Sequence, residues 1–150
     1  VIAPGINAKM NEFQAAFGLL QLKYIDKALD RRREIDTQYR QQLSSVTGIL
    51  CPPLPAYTIY NFAYFPLLIG KQYPLSRDEL YEKLRQNGIY SRRYFYPLIS
   101  EFPMYRGLPS TEQSNLSTAK KVASQVICLP IYPALREVDQ QEIISLIAEV

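Results

Sequence analysis

Ser91 to Ser100 reads SRRYFYPLIS. Arg92 and Arg93 carry planar guanidinium forks suited to phosphate or carboxylate, and Tyr94 and Tyr96 pair an aromatic body with a hydroxyl suited to a core or a polar ligand pocket. The cluster could grip a nucleotide or cover a phosphate. It could equally be a strand crossing a core, one face inward and one outward. Alternation along a strand places Arg92, Tyr94 and Tyr96 on one side and Arg93 and Phe95 on the other. On that reading both arginines serve one pocket only if a bulge intervenes.

The rest of the chain limits the chemistry further. Histidine is absent from these 150 residues, which removes Ser–His and Cys–His pairs, an imidazole base and a histidine-ligated zinc. Cys51 and Cys128 fit no metal-binding spacing and are expected to be reduced, small core residues. A net charge of +3, with bases interleaved among acids, points away from nucleic acid. The run Asp30 to Glu34, DRRRE, reads as a solvated helix face laced by Lys27–Asp30, Arg32–Asp36 and Asp36–Arg40, each pair contributing only ~0.2–0.5 kcal/mol. No apolar run is long enough for a membrane span. The chain opens on Val1-Ile2 without a basic-then-apolar leader, so a cytoplasmic piece of a longer polypeptide is expected.

The apolar fraction of 47% allows one domain with a real core over residues 1–150. After a loop broken by Pro4-Gly5, Asn11 is a plausible cap. Phe13, Ala16, Phe17 and Leu20 then form one helical face, and Ala15, Ala16 and Gly18 leave a narrow side for a close neighbour. A second stripe, Ala28, Ile35, Tyr39, Leu43 and Val46, continues the helix or a helix pair as far as Gly48. CPPLP at Cys51 to Pro55 is a rigid connector. Tyr57 to Ile69 reads as a strand, with Pro66 at an edge or bulge. Ser76 with Glu79 forms a capping box, Leu75 with Leu80 a staple, Leu80 and Leu84 the buried side, and Gly88 the C-terminal cap. Ile89 to Tyr96 reads as a strand stopped by Pro97. A helix over about Asn115–Ser124 buries Leu116, Ala119, Val122 and Ala123. The strand Val126–Pro130 and a last helix with Ile143, Leu146, Ile147 and Val150 inward complete the chain. The class is α+β: a small three-stranded sheet, antiparallel or mixed, with helices packed on one face and a long N-terminal helix.

Three segments, in order, carry a resemblance. PGINAKMNEFQAAFGLLQL supplies Gly5, Asn7, Lys9, Met10, Gln14, Ala15, Ala16, Gly18, Gln21 and Leu22; GIYSRRYFYPLIS and ICLPIYPAL follow it. Together they resemble the DegT/StrS-type nucleotide-sugar aminotransferases, pyridoxal-phosphate enzymes of the aspartate aminotransferase fold. RRYFYPL is most similar to the branch that aminates 3-keto-6-deoxy sugars on dTDP. The resemblance implies a C-terminal small domain with its connecting helix, from a fold-type I homodimer. In such an enzyme a lysine holds pyridoxal 5'-phosphate as a Schiff base, and an amino acid, typically glutamate, donates the amine passed to a keto-sugar. It implies that Asn7 reaches the cofactor phosphate of the partner subunit, and that Lys9, Arg92, Arg93, Tyr94 and Tyr96 face substrate. Lys9 stands where the family usually has arginine, which keeps the charge and loses the fork. No lysine here has the small-residue surroundings of the Schiff-base lysine, which in the family lies upstream. The chain alone is therefore expected to be inactive. An alternative is a non-catalytic dimerisation or nucleotide-sugar-sensing module derived from this domain.

Overall fold

Asn11 caps the longest helix through its own side chain. Its Oδ1 accepts the Gln14 N–H at 2.9 Å, and Gln14 Oε1 accepts the Asn11 N–H at 3.2 Å. The computed structural model describes residues 8–112 and 114–150. From this cap α1 (Glu12–Leu43) runs unbroken, one helix rather than a pair. Only its C-terminal half joins the core, through Ile35, Tyr39 and Leu43. Phe13 and Phe17, on the apolar face expected from helical spacing, are 88% and 64% exposed, and Leu20 is exposed too. Nothing lies within 4 Å of a Cβ built on Gly18, so the narrow side meets no neighbour among the described residues. The charged face pairs differently from expectation. Asp30 takes Arg33 at 2.8 Å and Arg31 takes Glu34 at 2.9 Å, while Asp36–Arg40 forms as expected at 2.7 Å.

A turn at Gly48 leads into β1 (Ile49–Leu50), a strand that the breakers on either side conceal in the sequence. β2 is Phe65–Ile69, only the end of the long strand expected from Tyr57. Tyr57 and Phe62 adopt φ of 65° and 49°, left-handed conformations that cannot continue a strand. β3 is Val126–Leu129. The sheet has the order β1-β2-β3 and is antiparallel throughout, with Ile49 opposite Ile69 and Phe65 opposite Leu129. β1 pairs only with Leu68 and Ile69, so Pro66 faces a local edge although β2 is central. The expected strand Ile89–Tyr96 shrinks to one bridge. Arg92 N–H donates to Cys128 O at 2.9 Å, and Cys128 N–H donates to Arg92 O at 2.7 Å.

Phe65, Leu67 and Ile69 point to one side of the sheet and are buried there with Ile127 and Leu129. α1, α2 (Arg77–Gln86) and α4 (Glu137–Ala148) enclose that face with Tyr39, Leu80, Leu84, Ile143 and Ile147. The Tyr39 and Phe65 rings sit 4.8 Å apart. α3 (Ser117–Gln125) packs against β2 and buries Ala123 outside that cluster, whereas Val122 is exposed. Ser76 and Glu79 complete the capping box of α2 as expected. Val150 lies past the end of α4 and is exposed, so the inward stripe ends at Ile147, with Ile144 added to it.

Polar groups fasten the helices. The last carbonyls of a helix have no partner within it. In α4 those of Leu146 and Ile147 accept Lys83 Nζ at 2.7 Å and Tyr73 Oη at 2.8 Å. Gln140, wholly buried, donates to Ile35 O at 2.9 Å and so joins α4 to α1. Burial pushes the Tyr73 hydroxyl from 10.0 up to about 12. Its folded pKa is above the unfolded one, so its contribution is full below pH 10 and is lost as pH rises toward 12. Tyr73→Phe should cost about 1 kcal/mol at neutral pH. Melting curves across the alkaline range should show a smaller stability loss between pH 10 and 12 in the variant than in the wild type, because other buried groups such as Cys128 still titrate there.

Candidate functional site

The bridge between Arg92 and Cys128 fixes where the RRYFY segment leaves the sheet. From that point Arg92 Nη1 donates to Tyr94 Oη, and its guanidinium lies 5.4 Å from the Tyr94 ring centre. Tyr64, from the approach to β2, meets the Tyr94 ring edge-on at 5.0 Å. These three side chains form one wall of a cavity of about 530 Å³. Tyr90, Cys128 and Tyr132 continue the lining, with Asp139 and Glu142 of α4. One cation, several phenols and two carboxylates, of which Asp139 is paired with Arg136, thus line a part-apolar hollow. Such a wall suits an anionic, hydroxyl-rich ligand near Arg92.

Arg93 and Tyr96 go elsewhere. Arg93 Nη1 pairs with Asp78 Oδ1 at 2.8 Å, and its guanidinium stacks 4.5 Å from the Tyr81 ring and 5.5 Å from Tyr96. Arg77 lies 4.7 Å from the same Tyr96 ring. Strand alternation had grouped Tyr96 with Arg92 and Tyr94. The chain stops being a strand after Arg92, so Tyr96 joins Arg93 instead. For the same reason both arginines line a second, open hollow with Tyr81, Phe95 and Phe102. Lys9 is exposed just ahead of α1 and lines neither hollow. Asn7 lies outside the described residues.

Cys128 is no nucleophile at neutral pH. Burial raises its thiol to about 11, with the Tyr94 backbone N–H pulling weakly the other way. Burial raises Cys51 as well, opposed by Arg40 and helped by Asp36. Both cysteines are free, as expected of core residues. Tyr64, Asp139 and Glu142 had no signal in the sequence, because the segment before β2 and the helix α4 that supply them are distant from the RRYFY segment; Tyr90 lay in GIYSRRYFYPLIS, two residues before Arg92, where its place on the wall could not be read. Tyr132 lay in the ICLPIYPAL segment, where its place on the cavity wall could not be read.

The family model for the DegT/DnrJ/EryC1/StrS aminotransferase family matches residues 1–148. The chain belongs to this family. It is 52% identical over 137 residues to the dTDP-4-amino-4,6-dideoxy-D-glucose transaminase of Escherichia coli, covering 91% of this chain and 37% of that protein. It is 43% identical to the Shigella dysenteriae protein of the same name, over 97% of this chain and 39% of that one. These names place the amino group at carbon 4, where the branch resemblance had pointed to carbon 3. Among solved structures, DesI in the presence of its TDP-sugar product superposes with a TM-score of 0.80 at 30% identity, over 97% of this chain and 36% of that one. The aminotransferase TlmJ of Streptoalloteichus hindustanus gives 0.83 at 29%, over 99% and 38%. The chain thus spans under two fifths of the length of these family members.

Among the described residues no lysine lines the Arg92 cavity. Lys83 is held by the end of α4, and Lys23, Lys27, Lys71 and Lys121 are exposed. The cavity therefore does not fit the covalent anchorage of pyridoxal phosphate. No group of His, Cys, Asp and Glu among the described residues could hold a metal ion, and no described helix is long and apolar enough to cross a membrane.

Proposed function

We propose that this chain is the C-terminal domain of a pyridoxal-phosphate-dependent aminotransferase that moves an amino group from an amino acid, glutamate in the first instance, to a keto-deoxysugar carried on a nucleotide. The rest of the polypeptide holds the cofactor, which supplies the electron sink for the transfer. The observation that carries the reading is the Arg92–Tyr94–Tyr64 wall. It places a guanidinium beside phenol hydroxyls at a cavity mouth, in a chain whose relatives are named for dTDP sugars. Arg92 would bind a phosphate oxygen of the nucleotide, with Tyr94 orienting the fork. Asn7 would reach the cofactor phosphate of a partner subunit and Lys9 would face substrate, as the family resemblance implies. The exposed Phe13–Phe17–Leu20 face of α1 fits a cytoplasmic homodimer in which that face is covered.

In the full-length enzyme, Arg92→Gln should raise KM for dTDP-4-amino-4,6-dideoxy-D-glucose about tenfold and leave KM for glutamate within about twofold, because the lost charge-assisted contact is to the nucleotide alone. Unchanged sugar KM would reject the assignment. The isolated chain, given pyridoxal phosphate and glutamate, should show no turnover; robust turnover would show that the anchoring lysine is here after all.

A further inference from the structure

Between Arg93 and Pro97 the chain lies outside the sheet, in a turn at Tyr94-Phe95 that makes no backbone-to-backbone hydrogen bond of ordinary geometry among the described residues. The Tyr94 N–H meets the Cys128 thiol, a weak acceptor. Side chains must therefore set this turn, and with it Tyr94. The bracket that does so stands on the first turn of α2. Arg77 is buried and donates to the carbonyls of Ala123 and Val126 at 3.0 and 3.3 Å. Its position is thus tied to the end of α3 and the start of β3. Asp78 Oδ1 lies 2.8 Å from Arg77 Nε and 2.8 Å from Arg93 Nη1. One carboxylate oxygen joins a fixed arginine to a movable one. The Tyr96 ring lies near both guanidiniums, its centre 4.7 Å from Arg77 and 5.5 Å from Arg93.

We infer that Asp78 and Arg93 form a latch that positions the Arg92–Tyr94 wall, so that Asp78 controls nucleotide-sugar affinity without touching the ligand. The inference rests on the reading of that wall given above. Asp78 lines neither the cavity nor the open hollow beside it. The energetics say which partner yields if the carboxylate goes. Arg77 keeps two carbonyl partners and stays. Arg93 is more exposed and loses its one ion pair among the described residues, while the like charge of Arg77 remains close by. The turn then relaxes at Arg93 and Tyr96 and carries Tyr94 away from Arg92. Misplacement of a substrate-positioning group by about 1 Å is enough for a tenfold or larger loss.

The test uses the full-length, cofactor-loaded enzyme and two half-reactions, one with glutamate and one with dTDP-4-amino-4,6-dideoxy-D-glucose. Asp78→Asn should raise the sugar KM about tenfold and leave the glutamate half-reaction within about twofold, with Asp78→Glu recovering part of the loss. Arg93→Gln should match Asp78→Asn, and the double variant should be no worse than either single one, since both remove the same contact. Equal loss in both half-reactions, or sugar KM unmoved by Asp78→Asn while Arg92→Gln raises it, would overturn the latch alone. Sugar KM unmoved by Arg92→Gln would remove the wall itself, and the latch with it.

Discussion

Gly48→Ala is expected to cost more than about 3 kcal/mol, among the larger effects a single methyl group can have. Gly48 has φ of +81°, where alanine itself costs roughly 1 kcal/mol. The larger cost is steric. A Cβ at this position would lie 2.2 Å from the backbone nitrogen of Tyr73 and 2.7 Å from its Cα. Those are backbone atoms, so no side-chain rotation relieves the contact. The turn must open instead. That loosens the 2.7 Å hydrogen bond from Gly70 N–H to Gly48 O and the pairing of Ile49 with Ile69. It also disturbs Tyr73, whose hydroxyl closes the end of α4. Gly88 is the control. Its φ is +75°, yet nothing lies within 4 Å of its built Cβ. Gly88→Ala should therefore cost only about 1 kcal/mol. Urea denaturation of both variants separates the two causes. Equal losses would mean that φ alone matters at Gly48 and that the clash is relieved without consequence.

Local chemistry made several elements legible and tertiary context hid others. The caps of α1 and α2 could be read because Asn11 with Gln14, and Ser76 with Glu79, close hydrogen bonds within four residues. The inward stripes of α1 and α4 could be read from helical spacing through Ile35, Tyr39, Leu43, Ile143 and Ile147. The strands were harder. Phe62 and Tyr57 look like strand residues by type, but both adopt left-handed conformations that residue type does not signal. β1 is two residues long and exists because β2 is beside it. The apolar face of Phe13 and Phe17 was legible from helical spacing, and spacing alone did not say that it lies outside this chain's own core. At the candidate site, the arginines and tyrosines of SRRYFYPL were visible as a cluster. Their division between a cavity wall and a latch could not be read, because Asp78 and Arg77 reach the segment from another helix.

Arg40→Met should be the most damaging of the charge substitutions in the core, at about 3 kcal/mol. Asp36 is 2% exposed and relies on Arg40, whose Nε lies 2.7 Å from one carboxylate oxygen and whose Nη2 lies 3.3 Å from the other. The same guanidinium donates to Pro52 O at 2.6 Å and sits 5.3 Å from the Phe65 ring. Methionine fills similar volume, so packing is largely kept and the loss is electrostatic. It strands a buried carboxylate and unfastens the CPPLP connector from α1. Breaking such a pair is costly chiefly because the remaining charge has no compensation, whereas replacing both partners by apolar groups can be nearly neutral. Asp36→Leu combined with Arg40→Met should therefore recover at least half of the stability that Arg40→Met alone loses, even though it removes one more native interaction. Thermal melts of the single and double variants decide between the two accounts. A double variant less stable than Arg40→Met would show that the pair stabilises the helix through its net attraction, and that desolvation of Asp36 is not the dominant cost.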